Sequence, residues 1–363
     1  MNLDLGLKTL SEIMSWTSEE AVVEFDWIRF MSAFKYDEYR DYIAGSRFVE
    51  NLARWLQQFR TIEERRTAYS FIKSKVIYIG DPEMSRLIEA FFPDVVYPRL
   101  VTDAAAQLQI ARYDVLQNPR GPELMRKALA STLFMALSDG ARIDALRRSN
   151  YRRVRNDQIY LNARLDKKQW SGALDTVRKL SNDGTAQIQC VYLIDDFTAS
   201  GTTFCRWDPI DKEWQGKLIK FHDSVTTAPE VFAPDFHLRV HHLIGTEQAR
   251  DGAISNDLRA ARELDGWFHD VSFSFGAILP NSIRVVDESL LALCDNYYDT
   301  DLETSHTRRS GVNDMKRGYG GCALPLVLSH NTPNNSLPLL WADTTGAGGH
   351  RMRPLFRRRN RHS

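Results

Sequence analysis

The chain has 363 residues, 43% of them hydrophobic, and its 47 Lys and Arg are balanced by 47 Asp and Glu. That length and composition predict a soluble globular protein with one large core or two modest ones. A formal charge of zero excludes any global attraction to nucleic acid or membrane, so basic stretches have to be judged one at a time.

Cys190, Cys205, Cys294 and Cys322 lie far apart without a CxxC pair, which favours reduced thiols over a zinc site or a disulfide framework. The N-terminus MNLDLGLKTLSEIM carries acids where a leader carries basic and then apolar residues. No apolar run approaches the ~18 residues of a membrane span, so the expected location is the cytoplasm, with no membrane partner.

In SRFVENLARWLQQF the apolar residues Phe48, Val49, Leu52, Trp55, Leu56 and Phe59 recur at the spacing that lines one face of a helix. Glu20 to Phe34 repeats this through Val23, Trp27, Phe30, Met31 and Phe34, a stripe that serves as core or as interface. Glu83 to Phe92 predicts another helix, and Pro93 and Pro98 punctuate the end of this part. From Ser131 onward the runs TLFMAL, CVYLI, LRVHHLI and VSFSF alternate with polar or helical segments, the pattern of an open α/β sheet with crossover connections. Within LRVHHLI, strand alternation places one of His241 and His242 inward and the other outward, as packing residues rather than metal ligands. There is no internal repeat. The expected organisation is a mainly helical region over 1–125, an α/β domain over 126–345 with late hood elements, and a basic tail over 346–363.

The stretch VYLIDDFTASGTTFCR, Val191 to Arg206, ends an apolar strand in two acids and follows them with small and hydroxyl-bearing residues. In an open α/β sheet, ligands bind beyond the carboxyl ends of strands, and a turn of small residues lets backbone N–H groups approach an anion at the next helix N-terminus. Thr198, Ser200, Thr202 and Thr203 add hydroxyl donors, Ala199 keeps the loop small, and Gly201 supplies conformational freedom. Carboxylates repel phosphate, so Asp195 and Asp196 are expected to face vicinal sugar hydroxyls or a Mg2+ ion bound to them. Sugar on one side and phosphate on the other make a ribose 5-phosphate.

These residues resemble the phosphoribosyl pyrophosphate (PRPP) signature of the type I phosphoribosyltransferases. The resemblance implies that Asp195 and Asp196 are the catalytic pair holding the ribose hydroxyls, directly or through Mg2+, and that Thr198, Ala199, Ser200, Gly201, Thr202 and Thr203 wrap the 5-phosphate. Ala199 stands where enzymes for 6-oxopurines often carry an aspartate general base. Together with FVENLARWLQQF, LSDGARIDALRRSN and GYGGCALPLVLSHNTPNNSLPLLW, the chain resembles the PRTase-CE family of bacterial conflict systems. Membership implies a phosphoribosyltransferase-type, mostly parallel sheet and an effector or regulator in antiphage defence. Some relatives there accompany an ATPase or a reverse transcriptase.

In LFMALSDGARIDALRRSN a strand over Thr132 to Leu137 meets the loop Ser138, Asp139, Gly140, and a helix starts at once. This is a candidate pyrophosphate loop, with Arg142 in the first helical turn and Arg147 and Arg148 beyond it; the competing role is a helix cap made by Ser138 and Asp139. His330, Asn331, Asn334 and Asn335 are candidates for recognising a base, since Asn both donates and accepts; the competing role is turn chemistry. Gly318, Gly320 and Gly321 suggest a flexible lid. The tail HRMRPLFRRRNRHS packs six arginines into fourteen residues and offers a contact to RNA or DNA phosphates; a solvated or partly docked terminus is the alternative.

The leading expectation is a Mg2+-dependent enzyme acting on PRPP or a ribose-phosphate nucleotide, by phosphoribosyl transfer or by nucleotide N-glycosidic cleavage. The rival is an inactive nucleotide-sensing or scaffold module that binds a partner protein or nucleic acid. A receiver-like phosphoacceptor explains the paired acids but leaves TASGTT without a task.

Overall fold

In the computed structural model the first part of the chain is helical, as its periodicity predicts: α1 (Leu3–Met14), α2 (Ser18–Phe34), α3 (Phe48–Leu56), α4 (Ile62–Ser74), a short strand β1 (Ile77–Ile79), then α5 (Asp81–Phe91), α6 (Tyr97–Leu108) and α7 (Gly121–Ala130). The alternating part follows with β2 (Thr132–Ala136), α8 (Ile143–Ser149), β3 (Ile159–Tyr160), α9 (Lys167–Ser181), β4 (Ile188–Thr198), β5 (Arg206–Asp208), β6 (Glu213–Gln215), α10 (Lys217–Thr226), β7 (Phe232–Thr246), α11 (Ile254–Asp265) and β8 (Val271–Leu279). Helix α12 (Glu288–Asn296) and strand β9 (Leu326–Leu328) come last. The structure describes residues 3–150, 153–208, 211–265, 271–304, 307 and 312–358. No helix among them is long and apolar enough to cross a membrane.

The chain divides into two units, Met84–Pro280 and Met1–Glu83 with Asn281–Ser363. These cuts differ in place from the divisions at 126 and 346 read from the sequence.

In the middle unit, five strands form an all-parallel sheet in the order β3-β2-β4-β7-β8. Side chains alternate between its faces. Leu133, Met135, Val191, Leu193, Leu238 and Val240 form one core with residues of α9, α10 and α11, among them Trp170, Phe221 and Leu258. On the other face Phe134 and Tyr192 stack at 5.5 Å, and Phe91 of α5 meets Phe134, Tyr192 and His241 at 6.2, 5.4 and 4.6 Å. Both faces are covered, which is why these strands read as continuous apolar runs. It also corrects the expectation for His241 and His242. They do point to opposite faces, yet both are inside, at 1% and 0% exposure, because β7 is buried on both faces from Leu238 to Thr246.

The outer unit packs α1 to α4 and α12 around a hydrophobic cluster, beside a parallel pair of β1 and β9. Thr17 with Glu20 and Thr61 with Glu64 make reciprocal capping boxes that start α2 and α4. Helix α2 carries apolar residues on every side, so periodicity could not choose its inner face. Ala21, Ile28 and Ser32 are buried, while Val23, Phe30 and Phe34 of the expected stripe are 62%, 57% and 72% exposed and do not serve as core. Pro93 and Pro98 do not end the helical part either. They lie in a wide π-turn, Phe92–Val96, and in the first turn of α6, where a missing N–H costs nothing.

The basic tail is docked as far as it is described. Met352, Leu355 and Phe356 are buried, and the Phe356 ring lies 5.4, 5.3 and 5.9 Å from those of Tyr36, Tyr39 and Phe48. Arg351, Arg353 and Arg357 are exposed around these anchors, while half-buried Arg358 lies over the Trp341 ring, 5.5 Å from its centroid; Arg359 and Arg361 lie outside the described residues. The expected glycine lid is also pinned. Tyr319 N donates to Asn334 O at 2.8 Å, and a Cβ on Gly318 (φ +74°) would lie 2.5 Å from Asn335 O.

Phe356→Ala should cost the outer unit about 3–5 kcal/mol, read as a lowered urea midpoint. Burial pushes His241 and His242 down to about 3. The unfolded chain therefore binds protons that the folded chain refuses, and stability falls as pH drops from about 6.5 towards 3, by up to about 1.4 kcal/mol per pH unit for each imidazole. His242→Phe should show the shallower acid limb in denaturant titrations at stepped pH; parallel limbs would refute a buried neutral His242.

Candidate functional site

Numbered along this sheet alone, the strand order is second, first, third, fourth, fifth. The chain leaves β2 towards β3 on one side and leaves β4 towards β7 on the other. The carboxyl ends of β2 and β4 therefore flank the point where the topology switches direction, where an open α/β sheet leaves a crevice. Leu137 N donates to Ile194 O at 2.8 Å, and the next residue, Ser138, enters the crevice. Its Oγ lies 2.6 Å from Asp195 Oδ1 and 3.1 Å from Asp196 Oδ1. One hydroxyl proton is thus shared between the two acids, and the structure brings together the two loops read separately from sequence.

Alternation along β4 gives the acids different surroundings. Asp195 points to the α10 side and is 2% exposed; Asp196 points to the other face and is half-buried. Lys217, the first residue of α10, makes an ion pair from Nζ to Asp195 Oδ2, and Asp196 N donates to Asp195 Oδ1 at 3.2 Å. Burial pushes the Asp195 carboxyl above the usual carboxylate range, the Lys217 ammonium draws it down, and the neighbouring Asp196 raises it again.

The loop after β4 is compact. Thr198, Ala199 and Ser200 are buried, Thr246 Oγ1 donates to Ala199 O at 2.7 Å, and Ser200 Oγ and Thr202 Oγ1 are 2.9 Å apart. Gly201 takes φ +75°, and Phe204 N donates to its carbonyl at 3.0 Å. Thr203 is exposed. The next helix does not follow the loop directly, because the antiparallel pair β5 and β6 intervenes. The chain then returns: Lys217 N donates to Thr203 O at 3.1 Å and Leu218 N to Phe204 O at 3.0 Å. The loop and α10 thus form one hydrogen-bonded spiral interrupted by a hairpin. The closure needs glycine at 216, where φ is +129° and a Cβ would lie 2.3 Å from Phe204 O. Arg206 of β5 also holds the loop, with Nη1 donating to Thr202 O at 3.0 Å and Nη2 to Gln215 Oε1 at 2.8 Å. Sequence reading missed Lys217, Gly216 and Arg206.

Beyond Ser138, a 3-10 turn covers Asp139–Ala141, with Asp139 exposed and Gly140 buried. Arg142 is left-handed at φ +50° and stands before α8, not in its first turn. Ser138 and Asp139 make no side-chain cap on that helix. Arg147 and Arg148 are exposed, and Arg148 pairs with Asp144 at 2.8 Å.

His330, Asn331, Asn334 and Asn335 lie in the other unit. Asn331 closes a tight turn by exchanging backbone hydrogen bonds with Leu328 at 3.0 and 3.2 Å, and buried Asn335 donates from Nδ2 to Tyr319 O at 2.8 Å. Turn and packing chemistry occupy these two.

Among the described residues no group of three or more His, Cys, Asp or Glu is placed to hold a metal ion. With Asp195 already matched by an ammonium, the donor set does not fit a resident Mg2+. A family model described as PRTase-CE matches residues 52–358, and no curated protein or solved structure matches the chain.

Lys217→Met would leave a carboxylate buried without its cation, and should lower stability by about 3–5 kcal/mol. Adding Asp195→Asn should recover much of the loss in thermal unfolding; no recovery would mean that the charge is not the cause.

Proposed function

The chain belongs to the PRTase-CE family and is phosphoribosyltransferase-like; from that premise we propose that the crevice between β2 and β4 binds PRPP or a ribose 5-phosphate nucleotide. The observation that carries this reading is the Ser138 hydroxyl shared by Asp195 and Asp196. It joins the loop suited to a diphosphate with the loop suited to a 5-phosphate, at the ligand end of a parallel sheet.

In this reading Asp196, the more accessible acid, receives the ribose hydroxyls, while Asp195 is held by Lys217 and orders the strand end. Backbone amides and hydroxyls of residues 198–203 surround the 5-phosphate, held in shape by Gly216 and Arg206. The loop Ser138–Gly140, with Arg142 beside it, takes the diphosphate together with the Mg2+ it brings. As the C1–oxygen bond to diphosphate breaks, the electron pair leaves with the diphosphate and positive charge develops at C1. Fixed carboxylates beside the sugar stabilise that charge, and a base nitrogen or a water then supplies the new bond and releases a proton. With water as acceptor and a nucleotide as donor, the same geometry gives N-glycosidic cleavage. The setting we infer from the family is an effector in a bacterial conflict system, acting with a partner ATPase or reverse transcriptase. The exposed arginines of the C-terminal segment are available for RNA or DNA phosphates.

A second reading has its own observation. Asp195 is already neutralised by Lys217 and Ala199 offers no proton acceptor, which suits a module that senses the nucleotide without converting it. Calorimetry of PRPP and a nucleotide panel with Mg2+, paired with chromatography of the mixtures, separates the two. Asp196→Asn should weaken binding by about 10- to 100-fold, the loss of a charged hydrogen-bond acceptor. Binding without consumption of ligand selects the sensor, and equal affinity in wild type and variant overturns the site.

A further inference from the structure

At the opposite end of the same sheet lies a second pocket, of about 500 Å³. Leu129 and Ala130, at the end of α7, and Gln158, just before β3, line it. It therefore opens at the amino ends of β2 and β3, a full strand length from Ser138 and the acid pair. Its charged lining residues are Arg126, Arg153, Arg155 and Lys179, all basic, in a chain whose charges cancel overall. Arg126 is committed to Glu123 at 2.7 Å. The Arg153 guanidinium sits over the Phe92 ring, 5.7 Å from its centroid, which fixes a cation at the wall.

The apolar lining has a specific shape. Phe92 and Tyr97 bracket the π-turn Phe92–Val96, in which Tyr97 N donates to Phe92 O. Five residues along an α-helix, the two rings would diverge; the wider turn brings both round to the pocket. Phe92 is buried, whereas Tyr97 is 38% exposed. Gln158 makes the floor rigid. Its Nε2 donates to Leu129 O at 2.7 Å and Thr132 O at 2.8 Å, and its Oε1 accepts from Arg155 N at 3.1 Å.

An exposed aromatic ring, a guanidinium held over a second ring, and further cations with no acid in the lining form a stacking platform beside an anion site. We propose that this pocket binds a nucleoside phosphate, its base against Tyr97 and the Arg153 plane and its phosphate on Arg155 and Lys179. The ligand is a free nucleotide or one unit of a single-stranded nucleic acid. The site is separate from the crevice of the proposed function and stands or falls without it.

The test is calorimetry on the full chain with AMP, with a short 5′-phosphorylated single strand of uridines, and with inorganic phosphate. The variants are Arg153→Ala with Arg155→Ala, Tyr97→Ala, Lys179→Ala and, as a control for the crevice, Asp196→Asn. All four pocket side chains reach solvent, and circular dichroism confirms that each variant is folded. Binding of AMP or the strand should survive Asp196→Asn and fall at least tenfold in the double arginine variant. Tyr97→Ala should cost about fivefold or more, the lower end of base stacking. Tighter binding of AMP identifies a free nucleotide, and tighter binding of the strand identifies a nucleic acid. The proposal is overturned if neither ligand binds, if the arginine and lysine variants bind as wild type does, or if phosphate alone binds as tightly as AMP.

Discussion

A carboxylate with 2% exposure, Asp195, sets the conditions for everything around the crevice. Removing such a charge from water costs several kcal/mol, and only a close cation with supporting hydrogen bonds offsets it. The cation does not come from the neighbouring strand, where His242, the register partner of Asp195, is kept neutral by burial. It comes from the first residue of α10, and the hydroxyl comes from the loop after β2. Three segments distant in sequence are thereby tied to one side chain. That tie keeps Asp196, one residue on, at a fixed height above the sheet.

The same requirement explains the interrupted spiral. For Lys217 to reach Asp195, α10 must begin directly against the turn Gly201–Phe204, although residues 205–216 separate them in the chain. The helix's first amides then bond to the loop carbonyls of Thr203 and Phe204, partners that helix N-termini otherwise lack. The inserted hairpin leaves this junction intact because its two ends return to one place, Arg206 holding one end to Thr202 and Gly216 allowing the other to touch Phe204. A longer insertion at a surface adds little loop-closure entropy when its ends are already fixed.

Strands β2, β4 and β7 were legible because a parallel sheet covered on both faces leaves long apolar runs, and the edge strand β8 because VSFSF alternates. Strands β1 and β3, Ile77–Ile79 and Ile159–Tyr160, are too short to leave a period. The acids and the small loop were legible as residue types suited to sugar and phosphate. What they would touch was not, since Lys217 sits in an ordinary-looking polar segment and gains its meaning only from the spiral. The C-terminal segment misled for a different reason. Arginines outnumber its apolar residues, yet the apolar ones, Met352, Leu355 and Phe356, are those that dock, and a count of charge hides three spaced anchors. For α2 the difficulty was reversed, since a helix apolar on all sides has no stripe to read.

The two ends of the sheet differ electrostatically in a way that helps to sort the basic residues. Helices that connect parallel strands begin near the carboxyl ends of those strands and finish near the amino ends, where exposed carbonyls favour cations. Arg178 and Lys179 in the last turn of α9 and Lys127 in the last turn of α7 are accounted for by that field alone. Arg153 and Arg155 are not, because both lie between α8 and β3 outside the last turn of any helix, Arg155 standing at the start of the 3-10 turn Asn156–Gln158. Arg153 is held on an aromatic face, and the backbone of Arg155 is held by a buried glutamine. A solvated surface arginine needs neither constraint, and fixing the Arg153 side chain beside a cavity has a conformational cost that the field at the helix ends does not offset. That residual cost separates a binding surface from the ordinary basic rim of a parallel sheet.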